Sequence, residues 1–157
     1  MLYLWVQLTN HLCIGFLYIV YGLIGGSFGY GLSLILRIEL ALPGFIVCSS
    51  LQYNSIITFH GLFMIFFMIM PILIGGFGNF LIPLLVCSSD MIFPRLNACS
   101  LWLVFGSVTL MCLAMFIEGG VNAGWTFYVP LSIYNSSSVD LMFFITFSWI
   151  KFFIRID

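Results

Sequence analysis

Charge is scarce in this sequence: Lys and Arg together number 4, and Asp and Glu 5, in 157 residues. With 63% of its residues hydrophobic, a soluble domain of this length could not cover its surface with so few charges. Composition alone therefore points to an integral membrane protein. The net charge of −1 removes the basic footprint of a nucleic-acid binder, so no nucleic-acid partner is expected. The 5 cysteines (Cys13, Cys48, Cys87, Cys99, Cys112) are odd in number, irregularly spaced and never in a CxxC pair. That pattern argues against a disulfide framework or zinc site and for small apolar filler in helices. The opening stretch MLYLWVQLTNHL holds no Lys or Arg. It thus lacks the basic region of a signal peptide and the arginines of a transit peptide, and the spans themselves are expected to direct insertion.

Apolar length is what the chain has instead. Hydrophobic segments run over about 13–36, 56–87, 101–117 and 139–154 and form a single membrane unit over residues 1–157. The expectation is an all-α integral membrane fold with three to four transmembrane helices, the fourth marginal because Lys151 interrupts it. Gly22 and Gly26, and the offset pair Gly25 and Gly29, have the GxxxG spacing that lets a second helix approach closely. Left facing lipid, these faces and Gly75/Gly76 would call for a partner chain. Pro71 removes a backbone donor inside the long second segment and predicts a kink there. Four spans put both termini on one side, together with Arg95, Lys151 and Arg155, while Arg37 stands alone on the other. The positive-inside rule then turns the N-terminus inward.

Polar groups inside the spans are few, and each needs a reason. His60 opens HGLFMIFFMIMPILIGGFGNFLIPLL, and an imidazole at membrane depth is a functional candidate by default. Neutral imidazole is a common iron ligand; the rival is a hydrogen bond to a neighbouring helix. GGFGN permits close packing or a bend, and alone would also suit the broken helix of a transporter, although no repeated partner segment accompanies it.

The run from His60, followed by DMIFPRLN and GWTFYVPL and preceded by TNHLCIGFLYIVYG and LSLILRIEL, closely resembles the cytochrome c oxidase subunit 1 family, within the haem–copper oxidases. The resemblance covers about residues 8–144. It implies part of a larger bundle of about twelve transmembrane helices, of which this chain matches the first three and the start of the fourth. It implies that His60 is an axial ligand of a low-spin haem a, that Arg37 reaches the haem's formyl group, and that Tyr53 and Trp125 lie near its propionates. Glu39 and Gly44 match part of a small Na⁺ or Ca²⁺ site on the outer face. Asp90, Asn79 and Asn97 match a proton-entry path on the inner face, with Asn10, Tyr18 and Ser100 in its polar lining. The family's N-terminus faces the mitochondrial matrix, in agreement with the charge count.

The departures shape the reading. This chain has 2 histidines, His11 and His60. The family's copper ligands and remaining axial ligands are histidines on later helices. Phe147 stands where the family has one, and Val129 where it usually has proline. The chain is thus read as the N-terminal part of a split subunit 1 in the mitochondrial inner membrane, not catalytic alone. A second chain would supply the remaining helices, the copper and the high-spin haem. Subunits 2 and 3, cytochrome c and membrane lipid are the further partners that the resemblance implies. A non-catalytic remnant, or the equivalent piece of a quinol oxidase, would carry the same motifs.

Overall fold

Asn10 opens the first helix. Its side-chain oxygen accepts from the Leu12 amide at 3.0 Å and caps α1, His11–Glu39. The computed structural model describes residues 9–41, 43–44, 47–116 and 121–134. The fourth apolar segment, 139–154, lies outside the described residues. At 29 residues α1 is about 43 Å long, more than a bilayer core needs.

The second helix, α2, runs from Ser50 to Val86. It begins six residues before the apolar run, because Ser49 and Gln52 form a capping box that closes its first turn. Two stretches, Phe63–Ile69 and Pro71–Gly78, adopt wide π-helical turns. They flank Pro71, which has no N–H to offer the carbonyl one turn back. Cys87, in the left-handed region at φ 55°, ends the helix. The third helix, α3, covers Pro94–Ala114, with Pro94 in the first turn where its missing donor costs nothing. It too starts before its apolar run, because Asn97 and Ser100 face inward and are buried. A single turn, α4, follows at Leu131–Tyr134.

All regular structure among the described residues is helical, and α1, α2 and α3 are each long and apolar enough to cross a membrane. α1 and α2 run antiparallel: Gly29 meets Phe63 and Met64, Gly25 meets Phe67, and Gly15 meets Gly76 and Asn79. α3 runs parallel to α1, with Tyr18 beside Ser100 and Tyr21 bonded to the Val104 carbonyl. The closest approach to backbone is at Gly25, where a Cβ would stand 2.6 Å from the Phe67 carbonyl oxygen. No side chain fits there. Gly75 is equally constrained, its Cβ position 2.6 Å from the Tyr18 ring. The glycine faces therefore pack against one another inside the chain. This corrects the expectation that Gly22/Gly26 and Gly75/Gly76 call for a partner. The buried core (Ile14, Tyr18, Phe59, Leu62, Phe63, Phe67, Val104, Met111) lies between the helices, and large apolar side chains cover the outward faces.

Candidate functional sites at the two ends of the helices

The topology sorts the candidate residues into two groups. The C-terminal end of α1, the N-terminal part of α2 and the loop after α3 share one end. The N-terminus of α1, the C-terminus of α2 and the start of α3 share the other.

At the first end, His60 is half-buried, and its Nδ1 lies 2.8 Å from the Gly29 carbonyl oxygen on α1. A carbonyl can only accept, so Nδ1 carries the proton and donates. That fixes the neutral tautomer with its lone pair on Nε2. A ring nitrogen with a free lone pair, oriented by a hydrogen bond on the other nitrogen, is the donor arrangement that an axial haem ligand requires. The residues present thus fit one axial position; no second histidine is near enough in the topology to supply the other.

Arg37 is exposed in the last turn of α1, where its charge complements the helix dipole. Tyr53 is half-buried in the first turn of α2. Trp125, half-exposed, is carried by a loop whose neighbours Val121, Asn122 and Ala123 are buried. The Gly124 amide donates to Thr58 Oγ1 at 2.9 Å, which ties this loop to α2 two residues before His60. Glu39 is buried, and its carboxylate accepts from the amides of Val47 (2.8 Å) and Cys48 (3.3 Å). It thereby closes the loop that contains Gly44, whose φ of +116° suits glycine. Among the described residues, no three His, Cys, Asp or Glu side chains cluster. A cation at Glu39 would need backbone carbonyls as further ligands.

At the opposite end, the amides meet as the sequence suggests. Asn97 Nδ2 donates to Asn79 Oδ1 at 2.6 Å, and Asn79 donates on to the Gly75 carbonyl. Ser100 Oγ donates to the Asn97 carbonyl at 2.6 Å, so the 2.7 Å contact with Tyr18 has the tyrosine hydroxyl as donor. All four side chains are buried. Asp90 stands outside this ladder, exposed, with Oδ1 2.8 Å from His11 Nδ1. A cavity of about 200 Å³ between the end of α2 and the following loop has both Asp90 and Asn97 in its lining. Asn10 is engaged as the helix cap. The two asparagines bond directly, with no water-sized gap between them, so the ladder is closed at that contact.

Residues 13–156 match the family described as Cytochrome C and Quinol oxidase polypeptide I. The chain belongs to this oxidase polypeptide I family. Cytochrome c oxidase subunit 1 of Mytilus edulis is 50% identical over 142 residues, 88% of this chain and 26% of that protein. The subunit of Pecten maximus is 44% identical over 142 residues, again 88% of this chain and 30% of the relative. That of Yarrowia lipolytica is 43% identical over 145 residues, 89% of this chain and 27% of the relative. The chain thus spans between 26% and 30% of the length of these oxidase subunits. A multi-pass membrane protein of this oxidase family follows from the helices and the relatives together.

The sequence did not single out Thr58 or His11, and it marked Gly29 only for close helix packing. Gly29 acts through its carbonyl, which carries no side-chain signal. His11 and Asp90 are 79 residues apart, and only the antiparallel order of the first two spans brings them to one end.

Proposed function

We propose that this chain is the N-terminal part of a cytochrome c oxidase subunit 1 and works with the family's later helices in the mitochondrial inner membrane. His60 would hold the iron of the low-spin haem a, and the family's later helices would supply its other ligand, the copper and the high-spin haem. The observation that carries this reading is the bond from His60 Nδ1 to the Gly29 carbonyl, which leaves Nε2 as the available ligand atom. The haem, when bound, supplies one-electron transfer. This chain's residues would hold and orient it, Arg37 as a donor to its formyl oxygen and Tyr53 and Trp125 beside its propionates. Glu39 and Gly44 contribute to a Na⁺ or Ca²⁺ site at the same outer face.

Protons enter at the other end, which faces the matrix together with the N-terminus. Asp90, exposed at the mouth of the cavity, collects them. The neutral ladder of Asn79, Asn97, Ser100 and Tyr18, with Asn10 at its edge, lines the way inward, and passage of water requires the Asn79–Asn97 contact to part. Subunits 2 and 3 and cytochrome c complete the proton-pumping complex, which reduces oxygen to water.

The test is His60→Leu in the assembled oxidase. The low-spin haem band should disappear. An unaltered low-spin spectrum in H60L would refute the assignment.

A further inference from the structure

Thr58 is wholly buried, and its hydroxyl is used twice. Oγ1 donates to the Asn54 carbonyl at 2.8 Å, which turns its lone pair toward the Gly124 amide at 2.9 Å. Gly124 has φ +72°, a conformation that favours glycine, so the amide is aimed by a turn that few other residues could make. One helical turn on, Gly61 lies under the same loop, and a Cβ on it would come within 3.1 Å of the Trp125 Cβ. Thr58 and Gly61 are three apart and share a face of α2, with His60 between them in sequence. The loop that carries Trp125 is therefore registered on the one helical turn that carries His60, by a polar bond on one side and a close apolar fit on the other.

We propose that Thr58 is a positioning residue for the haem pocket: its hydroxyl fixes the height of Trp125 relative to His60 along α2. The inference rests on the reading of His60 as the haem ligand and Trp125 as a wall of its pocket. It adds a residue that touches neither the iron nor the ring and acts only through the loop. Thr58 is wholly buried, so no water stands in its place as acceptor for the Gly124 amide once the hydroxyl is removed.

The test compares Thr58→Val, which keeps shape and removes the acceptor, with Thr58→Ser, which keeps it. Both are made in the oxidase assembled in its own membrane. The readouts are the visible band of the reduced low-spin haem and the rate of electron delivery to it, each per assembled complex. T58V should shift the band and slow delivery several-fold, while T58S restores both. A T58V enzyme with the wild-type band and rate would overturn the proposal, as would a T58S enzyme as impaired as T58V. Should T58V not accumulate, Thr58→Cys, a weak acceptor of similar size, takes its place under the same criteria. The underlying reading fails separately: if H60L keeps the low-spin haem, His60 is not the ligand whatever T58V does.

Discussion

Gly25→Ala probes the closest helix approach to backbone among the described residues. The new Cβ would stand 2.6 Å from the Phe67 carbonyl oxygen, whereas a carbon–oxygen contact needs about 3.3 Å. The backbone of α2 is on the other side of that contact, so no rotamer can relieve it. α1 and α2 must separate by about 0.7 Å at this level. Gly29 lies one turn further along α1, and its carbonyl would move with the helix. The 2.8 Å bond to His60 then stretches toward the limit of about 3.2 Å, or beyond it. Losing that bond costs about 1 kcal/mol in a membrane setting. The overpacking adds about 1–3 kcal/mol, so a total of about 2–4 kcal/mol is expected. The control is Gly31→Ala, where an added methyl meets nothing within 4 Å of this chain. In the assembled oxidase, the temperature at which the low-spin haem is lost should fall by several degrees in G25A and stay level in G31A. Equal behaviour of the two variants would show that the glycine contact does not hold His60 in place.

Three further outcomes follow from other parts of the molecule. Asp90→Asn removes the charge at the cavity mouth and keeps the size; turnover and proton uptake should fall several-fold with the haem spectrum unchanged, measured in reconstituted vesicles. Glu39→Gln weakens two charge-assisted bonds to the amides of Val47 and Cys48, worth about 1–2 kcal/mol in difference, and should speed protease cleavage of the loop 40–49. The Cys48 thiol, outside the spans, is pushed up by burial and secondarily by the Glu39 carboxylate. With less thiolate present at neutral pH, alkylation of Cys48 should be slower than for a free cysteine, rise with pH, and quicken in E39Q.

The membrane class and the three described helices were legible because apolar runs need no tertiary information. Helix starts were not, since Ser49–Gln52 and Pro94 begin helices in polar sequence that reads as loop. At Ser49 the capping box closes the first turn, whereas the helix from Pro94 has no side-chain cap, and its inward polar residues Asn97 and Ser100 lie beside Asn79 and Tyr18 once the helices pack. The glycine spacing announced close packing but not its partner, which proved to be the chain's own second helix. His60 stood out as an ionisable group in apolar surroundings, and Asp90 through the family resemblance. Their immediate partners, a backbone carbonyl and a distant histidine, come from chain folding and leave no local pattern.

The central claim is that His60 offers Nε2 to a haem iron while Nδ1 donates to Gly29. A single-particle structure of the assembled oxidase at side-chain resolution tests it directly. The account predicts iron at bonding distance from His60 Nε2, Gly29 oxygen at hydrogen-bond distance from Nδ1, and the other iron ligand from a later helix of the subunit. Density showing His60 bonded only to protein, with no haem in reach, would contradict it.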